Sequence, residues 1–425
     1  MAATELIITA FLTIMVLSAI ISNKVRIPYT LVLVFVGIAI SAVSASVIFR
    51  NSLLSFAFQG IVSEMKTVYA QLIQGGSGGF FVGLIVPPLI FQAMMHIRTE
   101  DLKAVVRPSV VLATVGVIIA TSVGGILLWQ LAKLPPYVSF LFAALIAPTD
   151  VVTVLEVFRR VKVPSRLAAL MDTEAAFNDA TAIVVFTLLL ASLNLPSLSF
   201  SDVAVRFGVT LAAGALIGLV TAFVAGLVTR LVQDDVAQTI LTISVVYGSY
   251  ALAVGVGASG LVAVAIVGLY FGNFTMRAKM APTSRETITK FWEVAAFLGN
   301  SLAFLFIGFA TDIISLAQSL LLVVIAYFAV TAARAASVYP ILAIFNQIGQ
   351  KVPVSWSNVA LLGGVRGALS IALAASIGAS TLISDSDIRT ISTMVFGVAL
   401  FSIIIQVPLL SRYVKKRFVG EVEVT

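Results

Sequence analysis

Apolar runs of about 17 to 25 residues, the length an α-helix needs to cross the hydrocarbon of a bilayer, recur along the chain from Thr4 to Ser411. Short charged turns separate them, and the runs lack the two-residue alternation of a transmembrane barrel strand. An all-α integral membrane protein is the fold class that follows. Only 11% of the residues are charged, against about 25% in a soluble domain. The spans read as 4–22, 28–48, 79–96, 108–131, 137–158, 167–193, 204–229, 236–255, 258–273, 288–311, 315–344, 355–381 and 388–411, thirteen in all. Lys24 and Arg26 follow the first span and no small-residue cleavage site is convincing, so it is read as retained. Neither end is expected to carry a soluble domain.

The chain has no cysteine and one histidine, which excludes disulfides, thiolate metal sites and histidine metal clusters. Any bound metal is expected to be a hard cation held by oxygen, and neither a cofactor nor an enzymatic activity is indicated. The net charge of +7 is dealt out over loops and never gathered in one block, so topology explains it better than a nucleic-acid partner. Of the 26 basic residues, 19 fall in odd-numbered turns and the tail, five on the other side, and two, Arg334 and Arg366, within spans. That split predicts an outside N-terminus, a cytoplasmic C-terminus and an odd number of spans.

Six spans precede the seventh and six follow it, so the second six begin on the opposite side, which is how inverted repeats arise. Both halves are interrupted in their fifth span, by Ala147-Pro148-Thr149-Asp150 and by Gly363-Gly364-Val365-Arg366-Gly367. Broken helices in matching positions point to a transporter's binding site. The glycine-rich stretch from Gly75 to Gly79 reads as an external flexible loop, and Gln233-Asp234-Asp235 as an internal linker.

Asp150, Glu174 and Asp179 lie inside two adjacent spans. A carboxylate in a bilayer core costs several kcal/mol or more unless it has a partner, a water path or a function. Pro148 removes an amide donor and frees carbonyls near Thr149 and Asp150, where Asp150 can also cap the continuing half-helix. At about 100° per residue, Glu174 and Asn178 share a helix face whereas Asp179 points roughly 140° away from Glu174, so the two carboxylates serve different ends. Asp172, on nearly the same stripe as Asp179 and two turns nearer the cytoplasm, reads either as the wall of an entry funnel or as a surface carboxylate without a role. Glu174 needs a cation, and mid-span Arg334 suits it; Arg366 is the rival, or else neutralises carbonyls in the second break. Two carboxylates around one hard cation repel when the site is empty, so it holds either a cation or a proton. If only an occupied site crosses the membrane, that competition is exchange. An intramembrane aspartyl protease also uses two aspartates, but its Gly-x-Gly-Asp signature is absent around Asp150 and Asp179.

At these residues the sequence resembles NhaP-type sodium/proton antiporters of the monovalent cation:proton antiporter superfamily. The resemblance covers essentially the whole chain: R-I-P-Y from Arg26, P-P-L-I-F-Q-A from Pro87, A-P-T-D, E-A-A-F-N-D, G-A-S-G-L-V-A-V from Gly257, F-W-E-V-A-A-F-L-G-N-S from Phe291 and G-G-V-R-G-A-L-S from Gly363. It implies 13 helices in two inverted repeats with crossed discontinuous helices, a mobile core of spans 4–6 and 11–13, and an interface domain that pairs two copies. The corresponding division is 1–131 (three interface helices and the first core helix), 132–193 (core helices with the ion site), 194–235 (connecting helix), 236–312 (interface helices), 313–411 (core helices) and 412–425 (short cytoplasmic tail). Asp179 then resembles the essential ion- and proton-binding aspartate, with Asn178 its neighbour, Thr149 and Asp150 the unwound-helix contributors, and Glu174 with Arg334 the structural ion pair. An Asn-Asp pair is similar to members regarded as electroneutral.

Three positions depart from that pattern. Ala175 stands where a serine hydroxyl often ligates the ion, Gln92 where glutamate is common, and Ala180 where glycine is frequent. His96 reads as an interfacial anchor more readily than as a pH sensor, Phe291 and Trp292 as interface aromatics, and Gly257, Gly260 and Gly268 as sites of close helix approach. The function expected is elevator-type exchange of Na+, and of Li+, for H+ in a bacterial-type inner membrane, among lipids and as a homodimer. A K+/H+ exchanger is the nearest alternative, and a cation channel on the same fold is one of another class.

Overall fold

The computed structural model describes residues 2–25, 27–45, 79–161, 163–194, 200–277, 280–310, 313–350, 352–377 and 382–418. No strand occurs among them. The helices are α1 (Ala2–Val25), α2 (Tyr29–Ala45), α3 (Gly79–His96), α4 (Thr99–Leu131), α5a (Pro136–Leu145), α5b (Val151–Arg160), α6 (Ser165–Asn194) and α7 (Phe200–Val228). They continue as α8 (Asp235–Gly255), α9 (Gly260–Met276), α10 (Pro282–Ala310), α11 (Leu320–Phe345), α12a (Val354–Leu362), α12b (Ala368–Ile377) and α13 (Asp385–Phe418). Seven of these described helices, α1, α4, α6, α7, α8, α11 and α13, are long and apolar enough to cross a membrane by length and composition. The chain is a multi-pass membrane protein. The glycine stretch 75–78 lies outside the described residues.

Several helices outrun the apolar windows that announce them. α4 begins at Thr99, with Glu100 and Asp101 in its first turn, and α13 runs on to Phe418, with Lys415, Lys416 and Arg417 in its last. Acids at a helix start and bases at its end complement the helix dipole, so the backbone stays helical past the point where hydropathy falls away.

Hydrogen bonds between turns show how the helices alternate. Tyr29 N donates to Glu156 Oε1 (3.1 Å), Ser165 Oγ to Asp101 (3.0 Å), Thr99 N to Asn273 (2.9 Å) and Arg166 Nη2 to Gln350 O (3.4 Å). Ser284 donates to Asp235. These bonds tie the odd-numbered turns, from the first to the eleventh, into one face. On the other face Tyr137 Oη donates to Asp387 Oδ2 (2.5 Å), joining the starts of α5a and α13. Successive helices therefore cross one slab in alternating directions, and the two broken helices run antiparallel. They meet at their interruptions, where Asp150 N donates to Val365 O (2.7 Å).

Aromatic and glycine positions refine the sequence reading. Phe291 is partly exposed, but Trp292 is buried, packs on Phe91 at 4.7 Å between ring centroids and donates from Nε1 to Thr242 Oγ1 (2.9 Å). Gly268 does permit close approach, since a Cβ there would lie 2.7 Å from Met94 Cβ of α3. Gly257 does not: nothing lies within 4 Å, and its φ of +75° explains the glycine as the residue that turns the chain from α8 into α9. α7 comes close at Gly214 and Gly218 instead, where an added Cβ would lie 2.5 Å from O of Ser259, the cap of α9, and 2.4 Å from Ala263 O. Small residues of this kind let helix backbones touch in lipid, where no hydrophobic effect drives association. Gly218→Ala is expected to cost roughly 1–3 kcal/mol and lower the melting temperature in detergent. Gly248→Ala, with nothing within 4 Å, serves as the control and should leave it unchanged or higher.

Candidate ion-binding site

The site is assembled at the crossing of the broken helices. Between α5a and α5b the chain is non-helical from Ala147 to Asp150, and the carbonyls this frees are met by Arg366, whose Nη1 donates to Ala147 O (2.8 Å) and Pro148 O (3.4 Å). Arg366 thus settles on carbonyls of the first break, not on those of the second break where the sequence reading put it. Its own backbone amide donates to Ser402 Oγ (3.0 Å). Asp150 caps α5b, accepting from Val152 N (3.0 Å) and from the Thr153 hydroxyl. Gly367 lets the second break close over this carboxylate, for a Cβ there would lie 2.6 Å from Asp150 Cβ.

α6 supplies the remaining groups along two faces. On one, Glu174 is fully buried and takes both guanidinium nitrogens of Arg334, at 2.8 and 2.9 Å. Arg334 turns its other donors to Ala360 O, a carbonyl near the end of α12a. Asn178 stands on the same face, donating to Glu174 Oε1 (3.1 Å) and to Thr149 Oγ1 (3.2 Å). On the other face stands Asp179, whose Oδ1 is buried with no hydrogen-bond partner.

Asp179, Asp150, Thr149 and Gly367 line one cavity of about 60 Å³, room for a cation and a few waters. Ala175 lines it too, offering a methyl where a hydroxyl would have been a ligand. Asn178 does not line the cavity; its amide holds Thr149 in place from behind. Beyond lies a wider cavity of about 600 Å³ that reaches the odd-turn face between α1, α2, α3, α5b and α10. Gln92 belongs to this funnel and not to the ion pocket. Asp172 lines neither cavity, because the funnel follows α5b and α10 while this end of α6 is packed on α4, where Ser109 Oγ donates to Leu170 O (3.2 Å). The carboxylates on the funnel wall are Glu156 and Glu293.

Four groups were not singled out from sequence: Thr153, the funnel carboxylates Glu156 and Glu293, and Asn300, which lines both cavities. Thr153 follows the cap residue Asp150 by three, a position where side chains reach back to the helix start, and that spacing could have found it. Asn300 had no such local signal, since it comes from a helix remote in sequence. His96 Nδ1 meets Gln92 O (2.7 Å) at the exposed end of α3.

All the donors in the ion pocket are oxygens, two of them carboxylates, which suits a hard monovalent cation. The bidentate Glu174–Arg334 pair is too enclosed to exchange partners with solvent. Removing one partner by Glu174→Ala or Arg334→Ala leaves an unpaired buried charge, so a loss of roughly 3–5 kcal/mol in stability is expected, read as a lowered melting temperature in detergent. Unchanged melting with altered cation affinity alone would assign the pair to ion binding instead.

The family described as "Sodium/hydrogen exchanger, transmembrane" matches residues 7–416. The Na(+)/H(+) antiporter ApNhaP of Aphanothece halophytica is 33% identical over 408 residues, covering 94% of this chain and 72% of that protein. The Na(+)/H(+) antiporter NhaP of Pseudomonas aeruginosa is 31% identical, covering 79% of this chain and 80% of that one. In fold, the chain superposes on the sodium proton antiporter MjNhaP1 of Methanocaldococcus jannaschii at pH 8 with a TM-score of 0.75 and 22% identity, covering 98% of this chain and 100% of that one. With a family match across nearly its whole length and curated relatives at this identity, the chain belongs to the sodium/hydrogen exchanger family, among its NhaP-type members.

Proposed function

We propose that this protein is a secondary active transporter that exchanges Na+ for H+ through the pocket of Asp179 and Asp150. The observation that carries the reading is the unpartnered Asp179 Oδ1, set beside a second carboxylate in a buried cavity next to a water-accessible funnel. A buried acceptor left open in this way awaits a proton or a cation.

The buried charges support a one-for-one exchange. Arg334 and Arg366 carry two positive charges, and Glu174, Asp150 and Asp179 three negative ones when ionised, so the empty site holds a net charge of −1. One proton or one monovalent cation makes it neutral, and only a neutral site crosses the membrane interior cheaply. Asn178 adds no charge to this balance, so exchange is electroneutral. Thr149 contributes to the ligand set, Glu174 with Arg334 holds it in shape, and Li+, smaller and harder, is a substrate as well.

The moving part is the group α4–α6 and α11–α13, sliding elevator-fashion against the other helices. Its support is the packing, in which α4 lies on α5a, α6 and α11 while α10 lies on α2, α3 and α8. The odd-turn face, rich in basic residues, is cytoplasmic in this reading, with the N-terminus outside, the C-terminus inside and the chain in an inner membrane. A second copy pairs through the helices outside the moving group.

Reconstituted proteoliposomes with an imposed pH gradient test the assignment. Saturable dissipation of the gradient on Na+ addition is expected, and Asp179→Asn should abolish it while leaving the protein folded; wild-type exchange by that variant would overturn the reading. A K+ response exceeding that of Na+ would make the protein a K+/H+ exchanger, and flux that follows voltage without a counter-ion would make it a channel. Competition for one pocket also has a sign: as pH falls, half-saturation by Na+ should move to higher concentration, up to roughly tenfold per pH unit where the proton dominates. An imposed membrane potential should leave the rate unchanged, and a rate that rises with voltage would contradict one-for-one exchange.

A further inference from the structure

The ion pocket and the funnel share four lining residues: Leu89 and Ala93 of α3, Val152 of α5b and Asn300 of α10. Three present hydrocarbon. Asn300 alone brings polar atoms to the boundary, and it is buried, only 6% exposed. We propose that Asn300 is a cation-contacting residue at this throat, whose amide oxygen replaces water as the ion passes between funnel and pocket and so sets which monovalent cation is preferred. The inference rests on the exchange reading of the Asp179 pocket and adds a ligand from a helix outside the group that carries Asp150 and Asp179.

The physical need is plain. A cation leaving the funnel must shed part of its hydration shell, and in an apolar constriction the lost waters have to be replaced by other oxygens. An amide carbonyl is a hard neutral donor that ligates small cations, yet it lacks the charge that would trap the ion there. Ala175 lines the same pocket without a hydroxyl, and Asp179 Oδ1 stands there unpartnered. Asn300 therefore supplies an oxygen where the ligand set is short. Removing it should penalise the most strongly hydrated ions most, Li+ before Na+ before K+, because they lose the most on dehydration.

The test is exchange kinetics of Asn300→Leu and Asn300→Asp in proteoliposomes, measured with Li+, Na+ and K+, alongside melting temperatures in detergent. Asn300→Leu is expected to raise KM for Na+ by roughly tenfold, the effect of losing one ion–dipole contact of charge-assisted strength. KM for Li+ should rise more and that for K+ less, with kcat little changed. A KM that stays at the wild-type value for all three ions, or rises equally for all, overturns the proposal. Should the leucine variant fail to fold, Asn300→Asp decides: it keeps the oxygen and adds charge, so a several-fold lower KM for Na+ at alkaline pH is expected, and an unchanged or higher one overturns the proposal. Asp179→Asn in the same assay separates the two levels, since its retained exchange would sink the pocket reading whatever Asn300 does.

Discussion

The crossing of the two broken helices, α5a/α5b over α12a/α12b, is the constraint on which the rest of the molecule depends. Inside a bilayer each freed backbone group needs a partner, because no bulk water is there to provide one. Most of the partners here come from the opposite half of the chain, and one, Arg334, from the neighbouring helix of the same half. Asp150 N reaches Val365 O, Arg366 covers Ala147 O and Pro148 O, and Arg334 covers Ala360 O. Each break is thus completed by the other, and neither would persist alone. What the crossing leaves uncovered includes an oxygen of Asp179 that faces the cavity, beside Asn178 Oδ1 and Arg366 Nε, which are also buried without a partner.

The same network explains why α6 carries acids on two faces. Glu174 is spent on Arg334, an ion pair whose enclosure makes it part of the scaffold, and Asn178 bridges that scaffold to Thr149. Asp179 lies off that face, beyond the reach of either arginine among the described hydrogen bonds, and so keeps its carboxylate for the cavity. A single helical offset of five residues separates structure from chemistry.

Access is arranged by different helices. The funnel is walled by α1, α2, α3, α5b and α10, and Glu156 on α5b accepts the first amide of α2, so the helix that Asp150 caps is also part of the funnel wall. Glu293 and Gln92 add polar surface to that wall, whereas the throat is hydrocarbon apart from Asn300. A wide vestibule meets a narrow pocket at a boundary with one polar residue, and that geometry is the ground for the role proposed for Asn300.

Much of this was legible in the chain, and the limits are instructive. Apolar length announced the helices, proline and paired glycines the two breaks, and the cost of charge in lipid singled out Asp150, Glu174, Asp179, Arg334 and Arg366, since each of those signals is local or compositional. Helix ends were misjudged where amphipathic turns continue past the apolar run, as at Thr99 and Phe418, and Gly257 was given a packing role when its backbone angle is the reason for it. Asp172 had the right stripe on α6 but the wrong neighbours, because a stripe says which way a side chain points and not what lies there. By itself, then, the sequence determined the helical membrane architecture, its interruptions and its buried charges. Which carbonyls Arg366 covers, which acid stays open and which residue of a remote helix stands at the throat were decided only by tertiary structure, for these depend on contacts between segments far apart in the chain that no local spacing encodes.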